Sequence, residues 1–153
     1  MPKLYVMSIK PKYARAVLEG RKLYELRRLQ GLKPLEEGSI VIVYASGETQ
    51  SIVGEFKAGR VLVGSPERIW ELVGREEYGL DEEARRYIEG SKRAMAVEVR
   101  EPRVYPTPIK LEKIRRIIPG WNPPYSYVEL EEGDPLYELL IKHVKAHSLH
   151  EKV

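Results

Sequence analysis

Lys22, Glu25 and Arg27 lie within six positions of one another, set among Leu23, Tyr24 and Leu26 and preceded by Gly20. A carboxylate held between two cations can do one of two things. It can fix the cations so that they offer N–H donors to a phosphate or a base edge, or it can accept a proton as a general base. In a strand that begins near Leu23, alternation sends Leu23, Glu25 and Arg27 to one face and Tyr24 and Leu26 to the other. Glu25 and Arg27 are then neighbours about 7 Å apart. Lys22 falls off the alternation and must reach the same place from the preceding turn. The plainer alternative is a surface strand carrying a solvated ion pair.

The flanking elements must place this group. Lys3–Ile9 alternates as a strand, and Pro11 opens a helix whose apolar stripe is Tyr13, Ala14, Val17 and Leu18. Gly20 stops that helix immediately before Lys22. Ser39–Tyr44 is an unbroken run rich in Val and Ile, the pattern of a strand covered on both faces. Gln50–Val63 is long for one strand, and Gly54 and Gly59 mark bulges or bends of the kind that curl a sheet towards a barrel.

Ser65 before Pro66 starts a helix over 66–73, and Asp81 caps another that ends near Glu89. Arg93–Arg100 is a further strand, giving a curled, mostly antiparallel sheet of five or more strands. Pro102, Pro106, Pro108, Pro119, Pro123 and Pro124 then interrupt 101–124, which predicts wrapping loops around one short helix at Leu111–Ile117. Trp121-Asn122-Pro123-Pro124-Tyr125-Ser126-Tyr127 is the aromatic part of this wrap. A Trp pinned by prolines plugs a barrel end more often than it offers a stacking platform at a cleft mouth. Asp134-Pro135 opens a last helix over 135–148. Its His143 and His147 have the spacing of two metal ligands, but the only further histidine, His150, falls beyond the expected helix end, so no metal is expected.

Composition narrows the classes. The 153 residues include no cysteine, which excludes disulfides, thiolate zinc sites and a cysteine nucleophile. No apolar run has membrane length, and Met1-Pro2-Lys3 leads straight into a strand pattern rather than a signal peptide, so a cytoplasmic protein is expected. No phosphate-binding glycine loop is present and no cofactor is expected. Nothing in the pattern sets an oligomeric state. Charged residues make up 32% of the chain, beside one Asn and two Gln, the balance found in hyperthermophiles. The net charge of +3 is uneven: residues 1–34 hold nine Lys or Arg against Glu19 and Glu25, a local +7 that leaves −4 for the rest. A basic face near Lys22–Arg27 suits a polyanion.

Gly-x-Lys-x-x-Glu-x-Arg directly after a short helix resembles the signature of the ASCH family, a branch of the PUA-like superfold. Ser8-Ile9-Lys10-Pro11, Val53-Gly54-Glu55-Phe56 and Ala94–Val99 match the family's other strands, so the resemblance runs from about residue 3 to 105 with a weaker echo to 130. It implies an α+β fold, a small mixed β-barrel with flanking helices. The ASCH-like domain would span 1–130, its Pro-rich segment 101–130 wrapping it and a C-terminal helix in 131–153 packing on the same domain. A thermophilic, archaeal member is expected. The signature would face a cleft for RNA or a nucleoside-like ligand, with Lys10, Lys12, Arg21, Lys22, Tyr24, Glu25, Arg27, Arg28 and Trp121 as the contacting set.

The resemblance also implies an alternative chemistry. Some ASCH members are amidohydrolases of acylated cytidine, with Lys at the position of Lys22 and Thr where this chain has Glu25. A further catalytic Glu lies in the region that here holds Glu76 and Glu77. Lys22, Glu25 and Glu77 are therefore the candidate catalytic set, for such a hydrolase or for a ribonuclease. Glu25 has no hydroxyl with which to act as that nucleophile. A carboxylate beside two cations is also a weak base at neutral pH. The residues favour binding over catalysis.

Overall fold

The computed structural model describes residues 2–151, with side chains described through Val144. Among these residues the chain runs β1 (Leu4–Ile9), α1 (Pro11–Leu18), β2 (Tyr24–Arg28), β3 (Ile40–Ala45), β4 (Ser51–Gly64), α2 (Pro66–Val73), α3 (Glu82–Glu89), β5 (Ala94–Lys110), α4 (Leu111–Ile117), β6 (Tyr127–Leu130) and α5 (Pro135–Glu151). A single 3-10 turn, Glu76–Tyr78, lies between α2 and α3. The strands form one sheet in the order β2-β5-β4-β3-β1-β6. β1 and β3 are parallel and every other pair is antiparallel. This is the expected α+β architecture, curled but not closed by a backbone ladder, because β2 and β6 remain its two edges.

Local signals set the helix ends. The Ser65 hydroxyl accepts from the Arg68 N–H at 3.1 Å and the Asp81 carboxylate from the Ala84 N–H at 3.0 Å. Each cap satisfies a donor that the first helical turn leaves without a partner. In β4 the register slips at Ile52/Gly54, Glu55/Lys57 and Ala58/Val61. A Cβ at Gly54 would overlap the Arg103 carbonyl oxygen and lie 2.8 Å from Leu18 Cδ1. Only glycine lets the two strands and α1 come so close.

The Pro-rich segment differs from the sequence expectation at both ends: its last residues form β6, paired with β1, where a wrap was expected. The segment after Arg100 is not a wrapping loop: β5 runs on to Lys110, paired with β4 down to Ser51↔Lys110. β2 covers β5 only from Ala94 to Glu98, so the second half of β5 has a neighbour on one side alone. A proline there can turn its missing N–H towards the open edge, or sit in an irregularity such as the one at Glu101, where φ is +48°. Helix α4, by contrast, occupies Leu111–Ile117 as expected.

Alternation sorts side chains into three apolar clusters. Tyr5, Met7 and Ile9 of β1 join Val41, Val43, Phe56, Met95 and Val97 inside the curl, under α1. Leu4 and Val6 point the other way, to Tyr44, Tyr105, Ile114 and Leu140 beneath α4 and α5. Tyr24 and Leu26 pack with Ile69, Val73 and Ile88 of α2 and α3. No described helix is long and apolar enough to cross a membrane.

Candidate functional site

The turn that carries Lys22 is held from two sides. Gly20 adopts φ +79°, and the N–H groups of Arg21 and Lys22 both donate to the Ala16 carbonyl at 2.9 and 3.0 Å, closing α1. From the other side, the Leu23 N–H donates to the Tyr78 carbonyl at 2.9 Å. Gly79, at φ +78°, lies flat against the same turn: a Cβ there would overlap the Arg21 carbonyl and lie 2.7 Å from Lys22 Cα. The 3-10 turn therefore acts as a backstop for Lys22.

From this turn Lys22 reaches β2. Its Nζ donates to Glu25 Oε1 at 2.7 Å and lies 4.8 Å from the centre of the Tyr13 ring on α1. Glu25 Oε2 accepts from Arg27 Nη2 at 2.9 Å. All three side chains are buried, Glu25 with 2% exposure. Burial by itself would raise the Glu25 carboxyl, but the charges and hydrogen bonds of Lys22 and Arg27 outweigh it and hold the group at about 2, down from 4.5. The expected alternation of β2 is present, but the solvated ion pair is not: the trio lies inside the curl, on the side of Met95 and Val97.

Arg27 also reaches across the opening of the sheet. Nη2 donates to the Ser8 carbonyl at 2.8 Å and Nη1 to Ser126 Oγ at 3.4 Å. Ser8 in turn fixes the Pro-rich segment, its N–H donating to the Ser126 carbonyl at 2.9 Å and its hydroxyl to the Pro124 carbonyl at 2.7 Å. Between these strands, α1 and α3 opens a cleft of about 740 Å³ with Lys22, Glu25 and Arg27 in its lining. Lys10, Tyr13 and Arg28 line it too, as do Glu83, Tyr87 and Tyr125. Burial and then the Glu83 carboxylate push the Tyr13 hydroxyl up to about 12, so it stays a neutral donor at physiological pH.

Of the residues singled out in the sequence, Lys10, Lys22, Glu25, Arg27 and Arg28 come together here. Lys12 is exposed outside the cleft lining, 3.9 Å from Glu83, and Arg21 is exposed with its guanidinium on Glu19 at 2.6 Å. Tyr24 is buried on the opposite face of β2, where its hydroxyl accepts from Arg60 Nη2 at 2.8 Å. Glu77 is exposed on the 3-10 turn and does not line the cleft. Trp121 packs on Tyr44 with ring centres 5.9 Å apart, in the cluster beneath α4 and α5. His143 packs on Tyr105 with ring centres 4.3 Å apart, and the side chains of His147 and His150 lie outside the described residues. Ser8, Tyr13, Glu83, Tyr87, Tyr125 and Ser126 were not expected as site residues. Ser8 carried a signal in the Ser8-Ile9-Lys10-Pro11 match, Tyr13 in the apolar stripe of the first helix, and Tyr125 and Ser126 in the aromatic segment; Glu83 and Tyr87 carried none.

Comparison with known proteins bears on this arrangement. A family model described as a domain of unknown function (DUF365) matches residues 6–120. The chain is 29% identical over 136 residues to a protein of Zymomonas mobilis subsp. mobilis named ASCH domain-containing ribonuclease, covering 88% of this chain and 90% of that one. Among solved structures it is similar to the crystal structure of ASCH from Zymomonas mobilis, with a TM-score of 0.76 at 27% identity over 90% of this chain and 94% of the other. The N-terminal domain of Staphylothermus marinus McrB shares the fold at a TM-score of 0.53 and 16% identity, covering 86% and 90% of the two chains. The fold is thus the α+β, PUA-like curled sheet of ASCH domains.

Proposed function

The chain belongs to the DUF365 family, and from that premise we propose that it is an ASCH-type RNA-binding protein whose basic cleft takes RNA or a nucleoside-like ligand. The observation that carries this reading is the buried trio. Glu25 spends both oxygens on Lys22 and Arg27, which fixes two cations in the lining of an open cleft. Fixed donors lose little freedom on meeting a phosphate or a base edge. Glu25 thereby acts through the cations it orients. Lys10 and Arg28 extend the positive lining, and Lys12 and Arg21 add exposed charge outside it. The name of the Zymomonas mobilis relative supports RNA as the ligand class.

The test is binding of a short labelled RNA at low salt, followed across a salt series. Affinity should fall linearly with log salt. The absence of binding at the lowest salt would reject the proposal.

A second reading, favoured by the relative's name, is cleavage of RNA in the same cleft. Lys22 and Arg27 suit the stabilisation of developing charge on a phosphate. Glu25, held at about 2, is a poor base, and Glu77 lies away from the cleft. Any base must then come from another group. Incubating the pure protein with single-stranded RNA tests this reading, with Lys22→Ala as the variant that should abolish cleavage.

The charge-rich, amide-poor composition supports a hyperthermophilic source, and we propose an archaeal, cytoplasmic setting with it. A melting temperature within the mesophile range of about 45–65 °C would reject the thermophilic part.

A further inference from the structure

Building on the RNA reading, we infer that a second cavity beside the cleft is a phosphate subsite, in which Lys92 and Arg93 hold a phosphate of an RNA whose neighbouring nucleotide occupies the cleft. The cavity, about 470 Å³, opens between residues 29–32, which follow β2, and residues 90–93, the turn from α3 into β5. Gln30 and Leu32 line it and the cleft alike, so the two spaces adjoin. Arg28 stands between them. It lines the cleft, and its Nε donates to the Tyr87 carbonyl at 2.5 Å. Its guanidinium lies so near the wall of the second cavity that a Cβ on Gly90 would be 3.1 Å from Nη2.

The charge of this second cavity is one-sided. Lys92 and Arg93 line it, both exposed, and no carboxylate does. The acids of α3 are engaged elsewhere: Glu89 pairs with Arg85 at 3.3 Å, Glu82 lies 3.9 Å from the same arginine, and Glu83 lies 3.9 Å from Lys12. Among the described residues this leaves Lys92 and Arg93 without an ion pair, whereas Lys22 and Arg27 in the cleft share Glu25. Two adjacent uncompensated cations repel each other, and an anion held between them turns that repulsion into attraction. Their backbone is already fixed. The Ser91 N–H and hydroxyl both donate to the Ile88 carbonyl, at 3.1 and 2.9 Å, and the Leu29 N–H donates to the Arg93 carbonyl at 3.1 Å. Only the two side chains have to be ordered on the ligand. Arginine offers a planar fork to two phosphate oxygens, and lysine adds a point charge beside it. Neither contact reads a base, so the subsite adds affinity and direction rather than sequence preference. A phosphate held here sets the way the RNA leaves the cleft, past Arg28 and Gly90.

The experiment measures binding of a short labelled RNA, made with and without terminal phosphates, by fluorescence anisotropy across a salt series. It compares wild type with the double variant Lys92→Ala, Arg93→Ala and with a control double variant, Lys57→Ala, Lys113→Ala. The control removes the same charge from exposed positions that line neither cavity. The Lys92, Arg93 variant should bind more weakly at low salt, with a slope against log salt flatter by roughly 0.7–0.9 unit, the value for one lost phosphate contact. The control should keep the wild-type slope. A loss that is equal for both RNAs assigns the subsite to an internal phosphodiester, and a loss confined to the phosphorylated RNA assigns it to a chain terminus. A wild-type slope in the Lys92, Arg93 variant, or an equal loss in the control, would overturn the subsite while leaving RNA binding intact. No binding of either RNA by wild type would instead reject the RNA reading, and the subsite with it.

Discussion

Arg27 and Ser8 stand on strands separated by three others in the sheet order, and the guanidinium of one donates to the carbonyl of the other at 2.8 Å. The curl brings the β2 edge round to face β1, and where the backbone ladder stops a buried side chain spans the gap. The same guanidinium holds Glu25. Closure of the sheet and construction of the cleft are therefore one event.

Glu25→Gln should cost about 3 kcal/mol of unfolding free energy, because it leaves Lys22 and Arg27 buried without their shared negative partner. Urea denaturation of the variant and wild type measures this. A loss below about 1 kcal/mol would show that the trio behaves as a solvated surface pair.

Acid should expose the same interaction. The folded-state value for Glu25, about 2, lies below its ordinary 4.5. A depressed carboxyl contributes stability that is fully present above the unfolded value and is lost as pH falls through the folded one. Wild-type stability should therefore decline from about pH 5 towards pH 2, and Glu25→Gln should remove part of that slope. Melting temperatures collected from pH 2 to 7 on both proteins give the comparison.

Lys10→Ala and Lys12→Ala remove exposed charges near the cleft without touching the trio. If each contacts one phosphate, RNA binding should weaken across all sequences, and the slope against log salt should flatten by roughly 0.7–1 unit per contact. An unchanged slope in both variants would place the phosphate path elsewhere.

Gly79→Ala tests the backstop behind Lys22. Gly79 and Gly120 both sit at φ near +79°, but a Cβ on Gly120 meets nothing within 4 Å, while one on Gly79 runs into Arg21 and Lys22. Both alanines carry the backbone strain of that region, about 1–3 kcal/mol. Only Gly79→Ala should lose RNA affinity as well, because only it displaces the lysine. Equal binding by the two variants would mean that the turn positions nothing.

What depends on neighbours along the chain is legible in the amino-acid sequence by itself. Period-two alternation places Glu25 and Arg27 on one face of β2 and Tyr24 and Leu26 on the other, because a strand's pleat is local geometry. Ser65 and Asp81 announce their helices, because a cap is satisfied within three residues of itself. Tertiary structure decides which face is covered. Lys22, Glu25 and Arg27 are buried because the sheet curls over them, which no spacing along β2 reveals. The prolines of 101–110 read as loop because their cost depends on whether a strand lies alongside, and the far end of β5 has an open edge. Trp121 and Tyr125 belong to one aromatic segment, yet one packs on Tyr44 and the other stands at the cleft. That division is set by Ser8, more than a hundred residues earlier in the chain, which fixes the backbone between them.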